Sequence, residues 1–362
     1  MSVPELDPQI IDVLRKMDEA GTPPVETLTP DEVRANFAAS TKELFGAVDE
    51  MHAVEDRDAD GVAVRIYRPV ETSEPSTALI YFHGGGWVAG SVDTHDGITR
   101  ALAKRVGCIV ISVEYRLAPE HPFPAALDDA WTAARWVYTN AADLGIDRDR
   151  IGVGGDSSGG AIATVTARKG RDYAIPFAAQ LLIYPVVSSG RIAPSYSQFS
   201  SGFGLTRSAM DWFWQQYIGD GDGTANPDVS PGSLQDMRRL PRAIVITAEA
   251  DVLRDEGEAY AQRLFLSGNE TEGYRYDGMI HGFLRFAGVV DRSRLAFDEI
   301  AESLAPALAK GWREQFNPDA VPVPPPPQMP PREQPEDEQP DEGEYGEPVV
   351  PDEPVPGPPV SE

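Results

Sequence analysis

The chain has 362 residues, 41% of them apolar, and a formal net charge of −27. That is enough apolar material for a sizeable core, in one large domain or two ordinary ones. The charge argues against nucleic acid as a partner, because phosphate binding needs clustered Lys and Arg. The single cysteine, Cys108, excludes an intramolecular disulfide. It opens the apolar run Cys108-Ile109-Val110-Ile111 and reads as a buried strand position rather than a reactive thiol, a usage that fits a cytoplasmic protein.

The first residues, Met1-Ser2-Val3-Pro4-Glu5, show neither a basic n-region nor an apolar h-region, so no signal peptide is expected. Two helix signals follow within residues 1–45. Ile10, Leu14 and Met17 form one apolar stripe. Thr29-Pro30-Asp31-Glu32 is a capping-box start with Pro at the first helical position. Val62, Val64 and Ile66 then alternate with Ala63, Arg65 and Tyr67, as in a half-buried strand near a sheet edge. Short apolar runs at 78–82, 108–113, 151–153, 178–184 and 243–247 read as strands buried on both faces, and Thr271 to Tyr276 as a last strand. Between them, Leu127, Ala130, Trp131, Ala134 and Val137 recur at helical spacing. A second helix follows Gly159, and a third runs from about Asp255 to Leu266. Such alternation predicts an α/β fold with helices on both faces of a largely parallel sheet.

Residues 190–225 stand outside the alternation and carry Phe199, Phe203, Trp212, Phe213, Trp214 and Tyr217. These aromatics either line an acyl or alcohol pocket or pack a small helical layer onto the sheet. With residues 1–45 they are expected to form a lid. The longest apolar stretch, 174–187, is interrupted by Pro176, Gln180 and Pro185 and is too short to span a bilayer. From 316 to 362 the chain turns Pro-rich and acidic, with Arg332 its one basic residue, and is expected to be disordered. Within it, Pro322-Val323-Pro324-Pro325-Pro326-Pro327 suits a groove that reads polyproline, although the composition favours a solvated tail without a partner.

Two segments carry the chemistry. Gly155-Asp156-Ser157-Ser158-Gly159-Gly160 follows a strand-like run and opens a helix, placing Ser157 on a sharp strand-to-helix turn. His83-Gly84-Gly85-Gly86-Trp87 follows another strand and can turn backbone N–H groups toward a developing oxyanion. A serine nucleophile needs a base. Of the five histidines, His281, in Asp277-Gly278-Met279-Ile280-His281-Gly282-Phe283, follows the last strand on a loop that can reach the nucleophile. His83 reads as an anchor of the glycine loop and His121 as a turn residue, while His52 and His95 have no supporting context. Asp251, at the carboxyl end of the 243–247 strand, is the choice for the orienting carboxylate, with Asp255 the fallback. Asp156 is set aside because adjacent side chains on a tight turn diverge. The oxyanion hole is assigned to the N–H groups of Gly84, Gly85 and Ser158. The order Ser, Asp, His is that of the α/β-hydrolases.

At these residues the chain resembles the hormone-sensitive-lipase-like esterases, bacterial family IV of the α/β-hydrolases. The resemblance also rests on Tyr115-Arg116-Leu117-Ala118-Pro119-Glu120-His121-Pro122, Asp251-Val252-Leu253-Arg254-Asp255-Glu256-Gly257 and His281-Gly282-Phe283, and spans about residues 60–310. It implies an α/β-hydrolase fold with a mostly parallel eight-stranded sheet flanked by helices and a helical cap. It also implies cofactor-free, metal-free hydrolysis of short- to medium-chain carboxylic esters by Ser157, Asp251 and His281. The sequence departs from the family pattern at Ser158, where alanine is usual, at Val252, where proline is common, and in the tail. One domain is therefore expected over 1–315, its cap drawn from 1–45 and about 190–225. A deacetylase, lactonase or amidase would use the same three residues, and a non-catalytic small-molecule receptor would lack the histidine. An edge strand would suit a homodimer.

Overall fold

In the computed structural model, which describes residues 4–315, every apolar run read as a strand joins one sheet. The chain opens with α1 (Pro8–Glu19) and α2 (Pro30–Phe45), then β1 (Ala53–Asp58), β2 (Ala63–Arg68), β3 (Ser76–Phe82), α3 (Asp96–Val106) and β4 (Ile109–Val113). It continues through α4 (Ala125–Thr139), β5 (Ile146–Asp156), α5 (Ser158–Asp172), β6 (Ala179–Ile183), α6 (Ser195–Gln198) and α7 (Arg207–Ile218). β7 (Arg242–Ala250), α8 (Arg254–Leu266), β8 (Thr271–Ile280) and α9 (Asp291–Gln315) complete it.

The eight strands run in the order β1-β2-β4-β3-β5-β6-β7-β8. β2 pairs antiparallel with β1 and β4, and the remaining neighbours are parallel. Parallel strands need helical crossovers, which cover both sheet faces and explain the unbroken burial of β4 and β6. α4 and α5 pack together on one face, and α3 and α9 on the other. Gly152 lets α9 approach, because a Cβ there would lie 2.7 Å from Leu308 Cδ2. Among the described residues no helix is long and apolar enough to cross a membrane.

Three expectations need correction. β1 was not foreseen; its Ala-Val-Glu-Asp-Arg-Asp sequence is mostly exposed and lies at the sheet edge, so it lacks the apolar pattern of a covered strand. β2 lies second from the edge, as expected of a strand near it, but Tyr67, on the face that alternation turned outward, is buried with its hydroxyl donating to Asp96. On α1 the buried residues are Ile10 and Val13, whereas Met17 is exposed. The Thr29–Glu32 capping box forms as the sequence suggests. The Pro-rich acidic segment lies outside the described residues.

Candidate active site

The elbow follows from its glycines. Ser157 sits between β5 and α5 at φ 56°, ψ −120°, a conformation L-residues rarely adopt and one that persists only when its surroundings impose it. A Cβ on Gly155 or Gly159 would lie 2.4 or 2.0 Å from Phe82 O, so only glycine lets the elbow close against β3. The Ser157 N–H donates to Ile183 O, its carbonyl accepts from Val186 N–H, and the side chain is left at a nearly buried surface.

β7 and β8 deliver the other two groups from their carboxyl ends. His281 Nε2 lies 2.9 Å from Ser157 Oγ, and His281 Nδ1 lies 2.8 Å from Asp251 Oδ2. Asp251 is buried, and its second oxygen accepts the Leu253 N–H at 2.9 Å. A carboxylate only accepts, so the imidazole carries its proton on Nδ1, and the Nε2 lone pair faces the serine hydroxyl. The Tyr184 ring meets the imidazole edge-on at 4.8 Å. Asp255 points elsewhere, accepting Ser195 N–H and pairing with Arg254. His52 and His121 are exposed.

The glycine loop corrects one assignment. Gly84 N–H donates to Asp156 Oδ1 at 2.9 Å and is not free to serve as an oxyanion donor. Among the described residues nothing accepts the N–H of Gly85 or Gly86. Together with the N–H of Ser158, which opens α5, they are the donors the structure leaves for an oxyanion. Gly86 is fitted to its place: φ is +63°, and a Cβ would lie 2.2 Å from Phe213 Cδ1 on α7. The hydroxyl of Ser158 ties the two halves of the hole together by accepting Trp87 N–H at 3.2 Å. Trp87 in turn stacks on Tyr217 at 4.3 Å and contacts Trp214 at 4.6 Å, so α7 rests directly on this loop.

Behind the loop lies a polar cluster that sequence reasoning passed over. Asp156 accepts from Tyr81 Oη at 2.7 Å as well as from Gly84, and His95 Nε2 lies 3.4 Å away. Burial alone would raise this carboxyl; the charge and hydrogen bond of His95 and the hydroxyl of Tyr81 outweigh it and bring Asp156 down to about 2. His83 Nδ1 contacts Gly84 O at 2.9 Å, and Tyr115 Oη donates to His83 O. Burial, reinforced by His95, pushes the His83 imidazole down to about 3, so it stays neutral. A second missed group is Glu256. Its Oε1 accepts from Val187 and Ser188 N–H, and burial pushes it up to about 8. An acidic residue early in α8 gave no sign of this, since its burial comes from the 187–196 segment folding over it.

A serine hydroxyl aligned on an imidazole and a buried carboxylate, beside free backbone donors at a helix N-terminus, defines the site type of a serine hydrolase on an α/β sheet. A family model described as alpha/beta hydrolase fold matches residues 79–285. The chain belongs to this family, in its hormone-sensitive-lipase-like branch. It is 43% identical over 234 residues to a carboxylesterase of Mycobacterium tuberculosis, covering 63% of this chain and 73% of the relative. It is 36% identical over 292 residues to an ethyl acetate hydrolase of Pseudomonas putida, covering 78% and 91%. An alpha/beta hydrolase enzyme from the metagenome of Lake Arreo, Spain, superposes with a TM-score of 0.81 at 38% identity, over 84% of this chain and 99% of the other.

Proposed function

We propose that the protein is a serine carboxylesterase that hydrolyses short- to medium-chain carboxylic esters through an acyl-enzyme at Ser157. The observation that carries this is the line Ser157 Oγ, His281 Nε2, His281 Nδ1, Asp251 Oδ2, with contacts of 2.9 and 2.8 Å. His281 takes the hydroxyl proton as Ser157 Oγ attacks the ester carbonyl. The carbonyl oxygen gains charge and is met by the N–H groups of Gly85, Gly86 and Ser158, in a nearly buried setting where such bonds are strong. Asp251 holds the imidazolium in place. His281 then protonates the departing alcohol, and the cycle repeats with water as nucleophile on the acyl-enzyme.

The segments 1–45 and 190–225 act as the cap. α7 supports this, because Phe213 packs on Gly86 and gives the substrate an aromatic wall beside the oxyanion donors. The lone buried Cys108, its thiol pushed up to about 12 by burial, suits a cytoplasmic setting. β8 lies at one sheet edge and offers a surface for a homodimer, while the Pro-rich tail offers a docking segment for a partner.

The test is turnover of p-nitrophenyl esters from acetyl to long acyl chains, with Ser157→Ala alongside. Turnover that is highest for short and medium chains and abolished by the substitution is expected. A folded wild type that turns over lactones or amides but no ester would replace the ester reading.

A further inference from the structure

His95 takes no part in the proton relay, yet its side chain is 0% exposed. It stands directly behind the oxyanion loop, with Nε2 3.3 Å from Gly84 N and 3.4 Å from Asp156 Oδ1. Thr94 Oγ1 contacts its other nitrogen at 2.9 Å. Its ring stacks on Phe37 of α2, with centroids 5.9 Å apart and planes 20° apart, and neighbours His83 at 5.4 Å. Phe37 carries the Arg285 guanidinium 3.8 Å from its centroid. That guanidinium also donates to Ser40 and Thr41 of α2. Arg285 belongs to the turn that follows His281. α2 thus joins the turn after His281 to the back of the glycine loop, through Arg285 on one side and His95 on the other.

A run of three glycines has no side chains to hold it, and each residue is conformationally permissive. Its geometry has to be imposed from outside. Asp156 imposes it at Gly84 N–H, and Asp156 is itself held by the Tyr81 hydroxyl, which donates to it at 2.7 Å, with His95 Nε2 packed 3.4 Å away.

We propose that His95 is a positioning residue for the oxyanion hole: by bridging Phe37 of α2 to Asp156, it fixes Gly84 and thereby the direction of the Gly85 and Gly86 N–H groups. This rests on the serine-esterase function of the site. With leucine at 95, Asp156 loses the imidazole 3.4 Å from its Oδ1 and the Gly84 N–H loses its second acceptor, so the buried carboxylate shifts toward whatever solvent it can reach. Gly84 follows it. Displacement of catalytic groups by about 1 Å can cost on the order of 100-fold in rate. A fall in kcat of about 10- to 100-fold is therefore expected, with KM changed less than about 3-fold, since ground-state binding does not use the oxyanion donors fully.

The experiment uses the full chain and compares wild type, His95→Leu, His95→Gln and Phe37→Leu. It measures p-nitrophenyl acetate kinetics, inhibition by an aryl trifluoromethyl ketone, and thermal unfolding. The ketone forms a tetrahedral adduct that places an oxyanion in the hole. Its Ki should rise in His95→Leu by the same factor by which kcat/KM falls. His95→Gln, whose amide N–H can reach Asp156, should recover most of the loss, and Phe37→Leu should show a smaller loss of the same kind. A folded His95→Leu with unchanged kcat and Ki overturns the proposal. So does a Gln variant as impaired as Leu, or a loss of activity fully explained by the fraction unfolded. If His95→Leu does not fold, the Gln and Phe37 variants decide by the same readouts. Absence of wild-type ester turnover would instead sink the esterase function, which separates the two failures.

Discussion

Replacing Asp251 with asparagine should leave the fold intact and nearly abolish turnover, for a reason fixed by one backbone donor. In the native site Oδ1 accepts the Leu253 N–H at 2.9 Å while Oδ2 accepts from His281 Nδ1 at 2.8 Å. Asparagine has a single acceptor oxygen. If that oxygen stays on Leu253 N–H, the amide NH2 faces Nδ1 and forces the imidazole proton onto Nε2. Nε2–H then points at Ser157 Oγ, and the base has no lone pair to offer. If the amide flips to keep the oxygen on Nδ1–H, its NH2 faces the Leu253 N–H inside a buried site, at a cost of about 1–3 kcal/mol. The wrong tautomer is therefore preferred, and even the right one lacks the charge that steadies the imidazolium. Together these should lower kcat about 10³- to 10⁴-fold, roughly 4–5.5 kcal/mol of barrier. KM should move less than about 3-fold. Steady-state hydrolysis of p-nitrophenyl butyrate, with circular dichroism and thermal unfolding to confirm folding, checks this. A folded variant within tenfold of wild-type kcat would refute the tautomer reasoning and remove Asp251 from the relay.

Gly86→Ala should lose at least about 100-fold in kcat/KM, because φ is +63° and the new Cβ would overlap Phe213. Gly107→Ala is the control: φ is +70° with open space around it, so the same assay should find near-native activity and a loss of about 1 kcal/mol in denaturant stability. Glu256 titrates near 8 in the folded protein against an ordinary value of 4.5, so from about 4.5 to about 8 the folded state holds a proton that the unfolded state releases. Stability contributed by this group is intact below the lower value and falls as pH rises through that window. Glu256→Gln keeps an acceptor for Val187 and Ser188 N–H, and should gain on wild type across that window by an amount on the order of 1–4 kcal/mol in urea unfolding. A wild type-to-variant difference flat with pH would show that Glu256 is already ionised in the fold.

Much of the sheet was legible because burial on both faces leaves a mark in composition. Runs such as Ile109–Val113 have no other ready explanation, whereas β1 gave no mark because one side of it faces solvent. Ser157, Asp251 and His281 could be singled out because each lies just past a recognisable strand, where open α/β sheets collect functional groups. Which glycine N–H stays free was not legible. Gly84 and Gly86 are equivalent in sequence, and only the Asp156 carboxylate behind one and the Phe213 ring beside the other tell them apart. His95 was invisible for a related reason. It sits in the polar stretch Asp93-Thr94-His95-Asp96, and its burial is made by Phe37, 58 positions away by numbering, and by His83.

The two rims of the sheet are unlike, and that limits how copies of this protein can meet. β1 ends the sheet with Glu55, Asp56, Arg57 and Asp58, largely exposed, and charge at such an edge discourages another strand from adding. At the opposite rim, Gly278 O near the end of β8 is already taken by Asp7 N–H, which leaves the stretch around Thr271–Tyr276 uncovered. With one rim guarded by charge and the other open over a short length, strand-to-strand association of two copies at β8 would close a two-fold pair and leave only charged rims outward. Were copies to pair through this rim, the pairing would stop at a finite particle, where two open rims would yield a fibre.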